Sequence, residues 1–181
     1  KAAMQRLELV HDWLARQFPG RPLSVAPASA DASFRRYFRV TFDDGLTRIV
    51  MDAPPEQEDC RPFVHVAGLL HEAGVHAPEI LAEDLERGLL LLTDLGSTTY
   101  LDALDASNAD DLFRDALDAL VKWQLASRPD ALPPYDEALL RRELNLFPDW
   151  YVARHLGSPL TAQRGLACHR RRVRHRRRRG G

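Results

Sequence analysis

Hydrophobic and polar residues alternate along residues 36–42, as expected of a half-buried strand. One face carries apolar rings and a valine and the other carries the intervening residues: Phe38, Val40 and Phe42 against Tyr37, Arg39 and Thr41. Segments 23–28 and 46–52 flank this strand, the second after an Asp-Asp-Gly turn at residues 43–45. The pattern predicts a meander of three antiparallel strands.

Two helices and two more strands are predicted around this meander. They cover about residues 3–17 and 62–74 for the helices, and 79–84 and 89–94 for the strands. Pro62 suits the first position of a helix and Gly74 suits its end. The four leucines at 89–92 are expected to be buried on both faces. Residues 1–96 are therefore expected to form an α+β lobe with five antiparallel strands.

From residue 97 onward the pattern is helical, with segments at about 98–104, 108–127, 136–147 and from Pro148 to before Gly157. The longest helix has one apolar stripe that predicts a core-facing side: Leu112, Phe113, Ala116, Leu117, Leu120, Trp123 and Gln124. We expect residues 97–163 to form the beginning of a truncated helical lobe. In that case the stripe forms an exposed apolar patch.

The charge is unevenly distributed along the chain. The formal net charge is −1 at pH 7, yet residues 164–181 contain nine arginines and no acidic residue. This tail has no helical or strand period and is expected to be disordered. It is either an arginine-rich arm for nucleic acid or anionic lipid, or the product of a frame shift in a GC-rich gene. We favour the frame shift, because the break falls within a helix start at residues 158–161 without a linker.

Composition and cysteine spacing exclude several classes. No apolar run approaches the roughly 20 residues of a membrane span, and the amino terminus is amphipathic rather than signal-like. Cys60 and Cys168 are far apart, and the seven histidines form no metal-binding pattern. We expect a cytoplasmic protein with no histidine-held metal.

The segment Ser29-Ala-Asp-Ala-Ser33, between the first two strands, is the strongest candidate for chemistry. Its small residues let backbone N–H groups approach an anion, and Ser29, Ser33, Arg35 and Arg36 add side-chain donors. The alternative interpretation is an ordinary polar hairpin.

The order of elements resembles the amino-terminal lobe of protein kinases, and several motifs make the resemblance closer. They are Ala28-Ser-Ala-Asp-Ala-Ser-Phe-Arg-Arg-Tyr-Phe-Arg, Met51-Asp-Ala-Pro-Pro-Glu, Leu92-Thr-Asp-Leu-Gly96, Trp123-Gln-Leu-Ala-Ser127 and Leu140-Arg-Arg-Glu-Leu-Asn-Leu-Phe-Pro-Asp-Trp-Tyr151. Over residues 4–163 the chain resembles the aminoglycoside phosphotransferase and choline kinase superfamily, in particular its bacterial cell-wall sugar kinases. The resemblance implies a protein-kinase-like fold. It also implies ATP-dependent phosphorylation of the anomeric hydroxyl of N-acetylmuramate or N-acetylglucosamine in peptidoglycan recycling.

The resemblance also implies a nucleotide site. The five residues Ser29, Ala30, Asp31, Ala32 and Ser33 match the loop that covers the phosphates of ATP. Asp94 and Leu95 match the hinge, where backbone groups pair with adenine.

One cation is missing from the family pattern. Kinase-like folds place a lysine on the third strand, but residues 48–52 contain none. Arg36, Arg39 or Arg48 is expected to substitute, with Arg36 part of the predicted cofactor site. Glu72 is a candidate for the carboxylate that orients this cation.

For the sugar, Glu143, Asn145, Trp150 and Tyr151 combine polar groups with aromatic faces, although core packing also explains the two rings. The family's His-x-Asp-x-x-x-x-Asn motif, which supplies the base and a Mg²⁺ ligand, is absent from the sequence. We therefore predict no catalytic or metal-binding residue in this chain and expect it to be inactive. A nucleic-acid-binding protein using the tail, and a pseudokinase-like interaction domain, remain the alternatives.

Overall fold

The computed structural model describes residues 2–30 and 33–158, so the predicted tail lies outside the described residues. The chain divides into two compact units, one up to Ser127 and one from Arg128 onward. The first unit contains α1 (Ala2–Gln17), β1 (Leu23–Ala30), β2 (Arg36–Phe42), β3 (Thr47–Asp52), α2 (Arg61–Glu72), β4 (Ile80–Asp84), β5 (Leu89–Thr93), α3 (Tyr100–Ala103) and α4 (Ala109–Ala126). The second contains α5 (Glu137–Leu146) and a π-helix (Phe147–His155). The lobe boundaries predicted at residues 96 and 163 stay predictions.

The five strands form one antiparallel sheet in the order β1-β2-β3-β5-β4. The α+β class and the five-stranded antiparallel sheet predicted from the pattern are thus confirmed. The β1–β2 hairpin corrects one boundary, because β1 continues to Ala30 after an irregularity between Pro27 and Ser29. Ser29 pairs with Tyr37 and Ala30 with Arg36, so both are strand residues rather than loop residues. Backbone pairing across the hairpin extends the strand into a sequence of small residues that by itself favours a turn.

Alternation along the strands gives the sheet two different faces. One face packs against α1, with Val10, Trp13 and Leu14 contacting the side of β2 that carries Phe38 and Val40. The opposite face includes Met51, Leu90 and Leu92 and packs against the α2 residues Phe63 and Val64. The leucines of β5 are buried on both faces, as expected.

Helix α4 carries the predicted apolar stripe on an exposed side. Its apolar stripe forms as a helical face, but no α4 residue is buried in the described structure. Phe113, Leu117 and Leu120 are about half exposed, with 57%, 59% and 48% of their surface accessible. The described residues leave the predicted core-facing side uncovered, and the predicted exposed apolar patch is present.

The second unit begins with a capped helix. The Asp136 side chain accepts a hydrogen bond of 2.8 Å from the Leu139 N–H, which satisfies one free donor of the first turn. The next segment, expected as a further helix from Pro148, is a π-helix that starts at Phe147.

Candidate functional site

The predicted hinge is built around an ion pair between β2 and the end of β5. Arg39 Nε donates to Asp94 Oδ2 at 2.6 Å, and Arg39 Nη2 donates to Oδ1 at 3.2 Å. The same Nη2 donates to the Gly96 carbonyl at 3.0 Å, and the Gly96 N–H donates to Asp94 Oδ1 at 2.8 Å. The guanidinium thus joins the middle of the sheet to the segment that follows it.

These contacts fix the charge of Asp94. Hydrogen bonding from Arg39 lowers the pKa of this carboxyl to about 2, against the opposing effect of burial, with the Gly96 N–H and the Thr47 side chain contributing in the same direction. Asp94 is therefore ionised near neutral pH. Protein donors already occupy both oxygens of its carboxylate, so this side chain is engaged within the protein.

A cleft of about 470 Å³ opens at this hinge. Its lining comes from the end of α2, the start of β4 and the end of β5: His71, Gly74, Val75, His76, Ala77, Glu79, Thr93, Asp94 and Leu95. The volume is within the range of small-molecule sites. Leu95 is half exposed, and among the described residues neither its N–H nor its C=O has a hydrogen-bond partner.

At the hairpin end of the sheet, Arg36 lies at the base of the predicted phosphate loop. It pairs in register with Ala30 on one side and Asp52 on the other. Its guanidinium donates to the Asp52 carboxylate, which also accepts from Arg6 of α1, with Arg6 Nε at 3.0 Å. The Asp52 side chain is completely buried between these two arginines.

The rest of the predicted loop is only partly described. Asp31 and Ala32 lie outside the described residues. The Ser33 hydroxyl accepts from the Arg35 backbone N–H at 3.2 Å and from Arg35 Nε at 3.1 Å. These bonds close a tight turn that leads into β2.

Strand β2 connects the two predicted parts of the nucleotide site. Arg36 and Arg39 are three residues apart, which corresponds to about 10 Å along an extended strand. The odd spacing sends their side chains to opposite faces, with Arg36 on the face covered by α1 and Arg39 on the face covered by α2. The loop base and the hinge are therefore close in space, but the two arginines serve different faces.

The other residues considered for the missing cation lie elsewhere. Arg48 pairs with Thr93 at the hinge end of the sheet, and its Nη1 donates to the Thr47 carbonyl at 2.8 Å. Glu72 is the last residue of α2 and is exposed. The structure does not bring either residue to the loop end of β2.

The predicted sugar residues belong to the second unit and are exposed. Glu143 and Asn145 are two positions apart on α5, so their side chains do not share a face. Trp150 and Tyr151 lie in the π-helix with about half of their surface accessible, so core packing does not account for them in the described structure.

The π-helix also contains aromatic contacts that sequence reasoning missed. Tyr151 stacks between Phe147 and His155, with ring centroids 5.4 Å and 5.2 Å away. Arg154 lies over the Trp150 ring at 4.0 Å from its centroid. The spacing of four residues between these three rings in the sequence could have indicated that they stack along one side of a helix.

Metal-binding clusters and membrane-spanning helices are both absent from the part of the chain that the structure describes. There, no group of three or more His, Cys, Asp or Glu residues is arranged to hold a metal ion. None of the described helices is long and apolar enough to cross a membrane.

The antiparallel sheet with α2 inserted before β4, followed by a hinge and helices, is the architecture of a kinase-like phosphotransferase. The family model for phosphotransferase enzymes, APH, matches residues 24–179, and the chain belongs to this family.

Similar proteins carry one shared name. The N-acetylmuramate/N-acetylglucosamine kinase of Pseudomonas aeruginosa is 63% identical over 142 residues, covering 78% of this chain and 42% of that protein. The protein of the same name from Pseudomonas putida is 59% identical, covering 76% of this chain and 40% of the relative. The protein of the same name from Neisseria meningitidis is 41% identical, covering 87% of this chain and 48% of the relative. The chain thus spans less than half the length of these curated relatives.

Proposed function

We propose that this chain carries the nucleotide-binding part of an ATP-dependent phosphotransferase. Its acceptor would be the anomeric hydroxyl of N-acetylmuramate or N-acetylglucosamine, in cytoplasmic peptidoglycan recycling. The observation that supports the proposal is that Arg36, next to the predicted loop, is three residues and about 10 Å along β2 from Arg39, which pairs with Asp94. The names of the similar kinases support the choice of acceptor.

In this proposal the two ends of the site have separate tasks. The backbone groups of Leu95, next to the cleft, pair with the adenine base. The predicted loop at residues 29–33 would supply backbone N–H groups to the phosphates and so neutralise the charge that develops during phosphoryl transfer. Arg36 adds positive charge at the base of this loop.

Phosphoryl transfer would need Mg²⁺ to neutralise charge on the nucleotide phosphates. The described residues contain no cluster suited to hold it. We therefore assign no residue of this chain to the ion and derive no step through it.

The sugar would contact the second unit. Trp150 and Tyr151 present exposed rings suited to the apolar face of a sugar, and Glu143 and Asn145 supply exposed polar groups on the preceding helix.

Calorimetric titration of the purified chain with ATP tests the nucleotide proposal. We expect saturable ATP binding and weaker binding of GTP. Because the sequence has no His-x-Asp-x-x-x-x-Asn motif, we expect no sugar-dependent ATP consumption. Absence of ATP binding would contradict the proposed function, and sugar-dependent turnover would contradict the predicted inactivity.

The predicted frame shift has its own test. Translation of the gene one base out of register beyond about residue 163 should restore a helix rich in Ala and Leu, followed by the missing motif. A confirmed gene sequence with no such motif in either alternative frame would favour the nucleic-acid or pseudokinase alternative. Binding of nucleic acid by the tail would weaken steeply with added salt and disappear when residues 164–181 are removed.

A further inference from the structure

Arg39 is the only described side chain that bonds at once to the residue before Leu95 and the residue after it. Its guanidinium holds both Asp94 carboxylate oxygens, and the same Nη2 also reaches the Gly96 carbonyl at 3.0 Å. The Gly96 N–H returns to Asp94 Oδ1 at 2.8 Å. The segment from Asp94 to Gly96 is thereby closed into a small hydrogen-bonded ring anchored on β2.

The ring restrains a segment that ends in a glycine of positive φ. Gly96 adopts φ +94°, a conformation in which glycine has wide freedom. Leu95 lies between the two anchored residues, lines the 470 Å³ cleft and has backbone groups with no partner among the described residues. Backbone donors and acceptors bind a matching ligand more strongly when their direction is fixed before binding, because less conformational freedom is lost.

We propose that Arg39 is a positioning residue for nucleobase recognition. It acts through Asp94 and Gly96 to fix the direction of the Leu95 N–H and C=O, and so determines the preference for adenine over guanine. This inference rests on the proposed nucleotide site and adds a residue that sets its base specificity.

A direct phosphate contact is the competing role for Arg39. Two of its three guanidinium nitrogens are already engaged at the hinge, and the residue is about 10 Å along β2 from the loop base. To bind phosphate through these nitrogens, Arg39 would have to break its two hydrogen bonds to the Asp94 carboxylate. The two roles differ in what a substitution of Arg39 would change: the preference for one base over another, or the affinity for phosphate.

The experiment compares three probes on the purified chain: ATP, GTP and inorganic tripolyphosphate. Arg39→Lys keeps the positive charge but loses the planar fork that binds two oxygens. We expect ATP affinity to fall about tenfold and the preference for ATP over GTP to shrink by a similar factor. Tripolyphosphate affinity should stay within about twofold of the unsubstituted chain.

Asp94→Asn weakens the same hydrogen-bonded ring by replacing the carboxylate that accepts from Arg39 and Gly96. It should also reduce the preference for ATP over GTP. This second variant keeps the test decisive if Arg39→Lys folds poorly. Arg114→Lys is the matched control, because Arg114 pairs with Asp111 on the exposed helix α4 and neither residue lines the cleft. It should leave all three affinities unchanged.

Three results would overturn the inference. The first is an unchanged ATP-to-GTP ratio in folded Arg39→Lys and Asp94→Asn proteins. The second is an equal loss for ATP and tripolyphosphate, as a phosphate ligand or general destabilisation would give. The third is an unsubstituted chain that binds none of the probes, which removes the proposed function as well and is therefore distinct from the first two.

Discussion

Asp52, at the end of β3, is completely buried and shares its carboxylate with Arg6, which lies 46 residues earlier on α1. Arg36 of β2 holds the second oxygen. Arg6 also donates to the Arg87 carbonyl at 2.8 Å. One carboxylate therefore ties the first helix, the second strand and the third strand together beside the β4–β5 turn.

Asp52→Asn should destabilise the fold, because it leaves two arginines facing each other without their shared anion. We expect a loss of about 3 kcal/mol in the free energy of unfolding. Asp43→Asn, at an exposed residue 3.9 Å from Arg21, is the control and should change it by less than about 0.5 kcal/mol. Urea unfolding measures the stability of both variants. An Asp52→Asn midpoint equal to that of the unsubstituted chain would show that the Asp52 cluster contributes nothing to the free energy of unfolding.

Gly88→Ala should be far more damaging than the same change at Gly45. Both glycines have positive φ, +68° and +82°, but a Cβ at Gly88 would lie 1.8 Å from the Ala53 carbonyl oxygen whereas a Cβ at Gly45 meets nothing within 4 Å. We expect about 1 kcal/mol of destabilisation at Gly45 and about 3 kcal/mol at Gly88. Thermal unfolding of the two variants side by side tests this, and similar losses would refute the close approach.

The Asp94 carboxyl should make stability depend on acid pH. Its pKa is lowered to about 2 from an ordinary value of 3.8, so the folded state holds the anion more strongly than the unfolded state does. The stabilisation is complete above about pH 5 and is lost as the pH falls through about 2, with a total of about 2 kcal/mol.

Asp94→Asn removes this contribution. The difference in unfolding free energy between the unsubstituted chain and this variant should therefore be largest near pH 6 and shrink steadily toward pH 3. A difference that does not change with pH would mean that Asp94 titrates alike in the folded and unfolded chains.

The exposed stripe of α4 should bind a hydrophobic dye. Phe113, Leu117, Leu120 and Val121 are each about half exposed and lie on one side of the helix. Leu117→Gln with Val121→Gln should reduce the fluorescence of bound anilinonaphthalene sulfonate and change stability by less than about 0.5 kcal/mol. The control Leu81→Gln changes an exposed leucine on β4 and should leave the dye signal intact. A large loss of stability in the double variant would show that the stripe is packed.

Local patterns were enough to predict the sheet. The alternation in β2 and the apolar run of β5 depend on nearest neighbours, and both strands formed where expected. The start of the loop at Ser29 was wrong, because strand length there is set by pairing with Tyr37 across the hairpin. For α4, amphipathicity identified the apolar face but contains no information on whether another element covers it.

The site was predictable only in part. Asp94 and Leu95 follow a buried strand, a position that the sequence marks clearly. The partner of Asp94 is not marked in the sequence, because Arg39 is 55 residues away and was one of three arginines considered for the missing cation, of which Arg36 was preferred. Glu143 and Asn145 were grouped by closeness in sequence, whereas helical geometry separates their side chains.

The odd spacing of Arg36 and Arg39 has a consequence for how the chain finds its native pairing. A hairpin slipped by one residue would turn Arg36 away from Asp52 and Arg39 away from Asp94 in the same movement. Asp94 would then be left without its cation, and the fully buried Asp52 would keep only Arg6. The two ion pairs thus both favour the native register, because a slip of one residue would break one of them on each face of the sheet.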